Sequence, residues 1–171
     1  MPQLVDFSEL YLENYLNYWF LSDRSFLHSI GIDIDQLPAA KVLRNKLKAE
    51  IPLPDKDKQA HIAIVLEGSR ACGHLELRNL SFGSSAIIEL HIWNNEDRHK
   101  GLGTELIDLI PSQIMFRFEL KSLIAQAYAL NPAANQLCLK AGFQYIAQEM
   151  LQPSPWHFKQ AINQYQYTKT S

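Results

Sequence analysis

From His61 onward three β-rich runs follow one another, HIAIVLEG, CGHLELRNLSFG and AIIELHIWN, each bounded by Gly, Ser or Asn. Turns this short join neighbours that run in opposite directions, so the three runs predict an antiparallel meander. Helical spacing takes over from Leu102 to about Phe118, through Leu102, Leu106, Leu109, Ile110 and Ile114, with Pro111 weakening or kinking it. A further strand, SLIAQAYAL, precedes NPAANQLCLKAGF, a short helix with Asn131 at its N-cap, Pro132 at its first position and Gly142 at its end. QYIAQEML and AINQYQYTK read as two closing strands.

Ahead of the meander, a short extended start from Gln3 to Phe7 leads into a helix capped by Ser8 that carries Leu10, Leu12, Tyr15, Leu16 and Trp19. A second helix follows Pro38, with Val42, Leu43 and Leu47 as its apolar stripe and Lys41, Arg44, Lys46 and Lys48 facing outward. The order is strand, two helices, three strands, helix, strand, helix, two strands. It predicts an α+β mixed sheet with helices on both faces.

A chain of 171 residues, 47% of them hydrophobic, suffices for one domain spanning 1–171 with its own core. Sixteen Lys and Arg against eighteen Asp and Glu leave a net charge of −2, which supplies no general field for nucleic acid or an anionic membrane. Any anion site must be local. Cys72 and Cys138 form no C-x-x-C pair, so no metal is expected, and free thiols suit a cytoplasmic protein. The segment MPQLVDFSELYLENYLNYWFL lacks a basic n-region and is interrupted by Asp6, Glu9 and Glu13, so it reads as part of the fold and not as a leader or membrane span.

The segment DRHKGLGTEL, residues 97 to 106, sits where strand gives way to helix. The first amides of a helix have no intrahelical partner, and the summed peptide dipoles add positive charge there. Gly101 and Gly103 let an anion approach the backbone closely, and Arg98, His99 and Lys100 add charge. A pyrophosphate would use all of these features, while an ordinary strand-to-helix turn with exposed basic residues would use none. No Walker string G-x-x-x-x-G-K-[ST] occurs, and a dinucleotide fingerprint fails because Leu106 stands where its third small residue belongs. What remains is R-x-x-G-x-G over Arg98 to Gly103, followed about thirty residues later by N-P-A-A-N-x-x-C-x-x-x-G-F.

On HIWNNEDRHKGLGTEL, SLIAQAYALN and NPAANQLCLKAGF, taken in that order and spacing, the chain resembles the GNAT superfamily of acyl-CoA-dependent N-acyltransferases over roughly residues 60 to 147. The resemblance implies a mostly antiparallel sheet of about seven strands. Two neighbouring parallel strands splay apart in it, commonly at a bulge, to take a pantetheine arm like an inserted strand. It implies acetyl-CoA as co-substrate and no metal. By the same carry-over the arm-binding backbone falls on His91, Ile92 and Trp93, the pyrophosphate cradle on the amides from His99 to Thr104, and a further contact on Asn131. Arg98, Lys100, Gly101, Leu102, Gly103 and Cys138 complete the set of cofactor-binding residues.

Acyl transfer from a thioester needs a neutral amine, a fixed carbonyl and help for the departing thiolate. Family members that acetylate ribosomal-protein amino termini place a glutamate base five residues before the motif asparagine and a tyrosine acid seven after it. This chain has Gln126 and Cys138 there. Gln126 takes no proton, and Cys138 is a weak donor that also suits a small helix-face hydrophobe. Strand alternation offers a substitute pair, because Glu89 and His91 share one face with Trp93. His91 can accept a proton directly or through water, with Glu89 orienting it or acting as the base itself; a satisfied strand histidine beside a paired acid is the alternative. Tyr15, Tyr18 and Trp19 fall where this fold builds an acceptor pocket, and Asp23, Asp33 and Asp35 are acids within reach of an incoming cation. The expectation is a cytoplasmic N-acetyltransferase acting on a primary amine, with no nucleic acid or membrane partner and an exposed final strand that permits a homodimer. The rival is a non-catalytic acyl-CoA-binding module.

Overall fold

The computed structural model describes residues 1–98 and 100–168. The meander forms as expected: β2 (His61–Glu67), β3 (Arg70–Ser81) and β4 (Ser85–Ile92) pair antiparallel in succession. β1 (Pro2–Asp6) adds to β2, and β5 (Ser122–Tyr128), β6 (Gln144–Leu151) and β7 (Gln160–Thr168) complete seven strands in the order β1-β2-β3-β4-β5-β7-β6. Every neighbouring pair is antiparallel except β4 and β5. Helices α1 (Leu12–Leu21), α2 (Arg24–Ser29) and α3 (Ala40–Glu50) precede the meander, α4 (Leu102–Ile107) follows β4, and α5 (Pro132–Lys140) follows β5.

Alternation along the strands builds a core on each face. On one side Leu75, Leu77, Ile88 and Leu123 pack with Ile114, Met115 and Phe118 from the segment after α4, and Ala134 and Cys138 of α5 lean on them. On the other, Ile62 and Ile64 meet Leu12, Tyr15, Leu16 and Trp19 of α1 and Leu43 and Leu47 of α3. Trp19 and Tyr15 are almost wholly buried, and each such side chain contributes roughly 1.5–3 kcal/mol or more of transfer free energy.

Several expectations require correction. Ser8 precedes a 3₁₀ turn, Glu9–Tyr11, without a side-chain cap bond, α1 begins only at Leu12, and Leu10 and Val42, expected on apolar stripes, are exposed. The helical run after Gly101 is not one helix: α4 stops at Ile107 and a π-helical turn spans Ile110–Met115, where Pro111 supplies no backbone N–H. Between α1 and Pro38 lies the extra helix α2, whose N-cap Asp23 accepts from the Phe26 amide at 2.9 Å; at this length it is too short to write a periodic stripe. The final strand is not exposed, because β7 is paired with β5 on one side and β6 on the other. The edge on that side is β6, which carries Tyr145, Ile146 and Met150 about half exposed, and β1 is the edge on the other. No helix among the described residues is long and apolar enough to cross a membrane.

Candidate active site

The parallel ladder between β4 and β5 joins only Ser85–Ile87 to Ser122–Ile124. Beyond it the strands follow different partners. β4 stays on β3 as far as the Ile92–Gly73 pair, and β5 stays on β7 as far as Tyr128–Ile162. Sheet twist accumulates along both ladders and carries the two strands apart. β4 itself keeps an unbroken register; the irregularities lie in β3 and at the β2–β3 pairing, so no bulge in β4 is needed to open the gap. A cavity of ≈ 770 Å³ occupies it, walled by Leu90 and Ile92 on one strand and Ala125 and Ala127 on the other.

Strand geometry decides which backbone groups line this gap. The Trp93 amide donates to Cys72 O of β3 at 2.8 Å, while Ser84 O accepts from the Ser122 amide at 3.3 Å. By alternation His91 and Trp93 turn their peptide groups to β3, and Ile88, Leu90 and Ile92 turn theirs to the gap. Of the three residues whose backbone the resemblance assigns to the arm, Ile92 alone faces the gap, and the Ile92 carbonyl already accepts from Arg98 Nε at 2.9 Å. Gly73 is what lets β3 hold β4 this closely: a Cβ there would fall 2.5 Å from the His91 carbonyl oxygen.

At the mouth, Gly101 precedes α4 in the left-handed region, φ +83°, with open space where a side chain would be. Leu102 and Gly103 begin the helix, where amides lack intrahelical partners, whereas the Thr104 amide already donates to Gly101 O at 2.9 Å. Gly103 is small for a second reason, since a Cβ would press on Leu137 of α5 at 3.2 Å. The preceding turn is held down by Asp97, which accepts from Arg70 at 2.7 and 2.9 Å and from Asn94 at 3.2 Å. The Arg70 bonds drop its carboxyl to about 2.

On the face of α1, Glu89 and His91 stand together, with Glu89 Oε2 3.7 Å from His91 Nε2. Arg78 of β3 forms an ion pair with Glu89. Burial works against the charge on Glu89, yet the neighbouring His91 and Arg78 overcome it and hold the carboxyl well below the usual range. Directly across the ladder, Glu76 pairs in register with Glu89 and takes a hydrogen bond from the Tyr15 hydroxyl at 3.2 Å. Burial, then the Glu89 charge, pushes Glu76 up to about 7. His91 stacks on His74, centroids 4.8 Å apart, and His74 Nδ1 accepts from the Trp93 indole at 2.8 Å. Burial drives His74 to the neutral form. The Tyr18 hydroxyl lies 3.1 Å from His91 Nδ1.

No family model matches the chain, and no curated protein matches it in sequence. Solved structures do. A ribosomal-protein α-N-acetyltransferase, RimL, in complex with coenzyme A superposes with a TM-score of 0.79 at 13% identity, covering 98% of this chain and 93% of that one. A spermidine N-acetyltransferase from Vibrio cholerae, with coenzyme A and spermine, gives 0.78 at 16% identity over 98% and 95%. The self-immunity acetyltransferase MccE, with acetyl-CoA and AMP, gives 0.77 at 13% over 98% and 92%. This chain has the GNAT acetyltransferase fold.

Within that GNAT fold, Glu89, His91, Ile92, Arg98, Gly101, Leu102, Gly103, Thr104, Asn131 and Cys138 all reach the one cavity. Trp93 does not, and Lys100 lines a separate small pocket beside Met1 and Pro2. His99 lies outside the described residues. Arg98 is turned inward: its guanidinium donates to the carbonyls of Ile92 and Trp93 and lies 3.5 Å from the Phe26 ring centroid, so it ties β4 to the loop. Asn131 caps α5 through the Ala134 amide at 3.3 Å. Cys138 is half-buried, and burial lifts its thiol to about 11. The loop acids are committed elsewhere. Asp23 caps α2, Asp35 pairs with Arg24 at 2.8 Å, and Asp33 accepts from the Asp35 amide. Sequence reasoning missed Arg78, Gly73 and His157, which also lines the cavity. None carries a local signal, because each acts through a neighbour brought by strand pairing or, for His157, by the Ile32–His157 bridge.

Proposed function

We propose that this protein is a cytoplasmic N-acetyltransferase that moves the acetyl group of acetyl-CoA to a primary amine by direct attack within a ternary complex. The observation that carries the reading is the divergence of β4 from β5 after Ile87 and Ile124, which leaves peptide groups of Leu90 and Ile92 facing an apolar slot. An amide-rich tether can pair there as an added strand would, and the amides of Leu102 and Gly103 receive its diphosphate at the mouth. His91 takes part in moving the amine proton, and Glu89, held charged, stabilises the cation that results. Asp23, Asp33 and Asp35 are committed elsewhere, Glu89 is paired with Arg78 and Asp97 with Arg70, so the carboxylates near the slot suit a single amine better than a polycation. A homodimer would form through the open edge of β6.

A second reading, a non-catalytic acyl-CoA-binding module, is favoured by Gln126 and by the firmly protonated Cys138. One pair of measurements separates the two. Saturating acetyl-CoA at 100 times its dissociation constant is expected to stabilise the protein by about 2.7 kcal/mol under either reading. Glu89→Gln is expected to leave that binding within about threefold and to lower acetyl transfer across an amine panel by at least ~100-fold. Binding without transfer by the unaltered protein would select the module, and no binding would dismiss both.

A further inference from the structure

We infer that Tyr18, His91 and Glu89 form a proton relay in which Tyr18, not His91, is the group that meets the attacking nitrogen. The inference rests on the acetyltransferase reading above and adds to it a residue and a direction of proton flow.

Geometry orders the three side chains. Glu89 Oε2 is 3.7 Å from His91 Nε2, and His91 Nδ1 is 3.1 Å from the Tyr18 hydroxyl. His91 Nε2 is buried and has no hydrogen-bond partner among the described residues, and the carboxylate of Glu89 faces it at 3.7 Å. A ring nitrogen facing an ionised carboxylate is favourable when it carries a hydrogen and repulsive when it carries a lone pair. Nε2 therefore holds the proton, Nδ1 holds the lone pair, and the Tyr18 hydroxyl donates to Nδ1. The surroundings leave His91 no competing polar partner: His74 meets it by ring stacking, and Trp19 offers a ring edge with centroids 5.0 Å apart. The remaining charges around the group are Arg78, paired with Glu89, and Arg98, bonded to main-chain carbonyls. The other titratable neighbours are Glu76, in register with Glu89 across the ladder, His74, stacked on His91, and His157 from the β6–β7 connection.

Position then separates Tyr18 from His91. Both line the cavity, but both nitrogens of His91 point at protein groups, whereas the Tyr18 oxygen has two lone pairs besides the proton it donates. Tyr18 reaches the cavity from α1, and its ring packs against Trp19 and His74 at centroid distances of 4.7 and 5.6 Å. A hydroxyl fixed in this way can accept a hydrogen while passing its own to Nδ1.

The C–N bond forms as the C–S bond breaks. The proton of the attacking nitrogen moves to the Tyr18 oxygen while the Tyr18 proton moves to His91 Nδ1. The imidazolium that results is stabilised by Glu89. The proton returns through Tyr18 to the departing thiolate, which leaves as the thiol, so enzyme groups end as they began. Tyr18 is never a free phenolate, in keeping with a hydroxyl whose acidity burial suppresses.

Two measurements test this. In the ¹⁵N-labelled protein, the His91 side chain is expected as the Nε2–H tautomer, with an Nδ1 resonance that moves in Tyr18→Phe. An Nδ1–H tautomer overturns the relay. With acetyl-CoA, Tyr18→Phe is expected to slow acetyl transfer to glycinamide by about 100-fold or more while transfer to hydroxylamine, whose nitrogen loses its proton with little help, changes less than about threefold. The acetyl-CoA dissociation constant is expected to be unchanged. Equal effects on the two probes, no effect on either, or a wild-type protein that binds acetyl-CoA yet acetylates neither probe, overturn the relay. Failure to bind acetyl-CoA instead overturns the acetyltransferase reading, so the two failures are told apart by the binding measurement.

Discussion

Gly73 and Glu89 occupy neighbouring strands and show how differently single residues can be read. Glu89 and His91 two apart on a strand announce a shared face, and the structure keeps them 3.7 Å apart as alternation requires. Gly73 gives only a general hint, since a glycine inside a strand can mark a close backbone approach without saying to what, and it permits the His91 carbonyl to lie where a Cβ would be 2.5 Å away. Gly73→Val is expected to push β4 off β3, costing roughly 1–3 kcal/mol in chemical denaturation, and to displace His91 with a matching loss of turnover. Stability within 0.5 kcal/mol of the parent would mean the strand adjusts freely. Arg98 carries the opposite lesson. Its place at the head of R-x-x-G-x-G suggests an anion ligand, but its hydrogen bonds go to main-chain carbonyls.

Elements with strong end signals were legible to the residue. α5 starts and stops where Asn131, Pro132 and Gly142 say it should, because cap, ring and left-handed glycine each act locally; Gly142 takes φ +76°. Asn131→Ala is expected to cost about 1 kcal/mol of stability, read as a lowered denaturation midpoint, and to loosen the cavity wall that α5 forms. Asn135 offers a control within the same helix. It bonds to Tyr165, Asn163 and the carbonyls of Tyr128 and Asn131, tying α5 to β5 and β7. α4 was less legible: its apolar spacing continues through Met115, but backbone donors fail at Pro111 and the chain takes a π-helical turn.

For the whole molecule, the paired carboxylates across β3 and β4 set a pH dependence. Glu76 is pushed up to about 7 in the fold, above its ordinary value of 4.5. A carboxyl raised on folding binds its proton more tightly in the native state, so its stabilising contribution is complete below about pH 4.5 and is lost as pH rises through 7. The loss is on the order of 1–3 kcal/mol. Glu76→Gln is expected to stabilise the protein at pH 8 relative to the parent, and to bring little gain at pH 4, when denaturation is followed at both. A parent-to-variant difference that is the same at both values would show that Glu76 does not titrate in this window. His61 acts on the acid side with the opposite sign: burial lowers it to about 4, so its contribution is present above 6.5 and lost as pH falls through 4.

The meander, the capped helix α5, the mixed sheet and the face shared by Glu89 and His91 follow from residue order, because periodicity and end signals act over a few residues. It takes the folded chain to put β7 inside the sheet and β6 at its edge, to pair Arg78 with Glu89, and to bring Tyr18 to His91, 73 positions away. All three share one cause. Which residue faces which across a sheet depends on strand order and register, and the energy of those pairings is invisible until the chain has closed on itself.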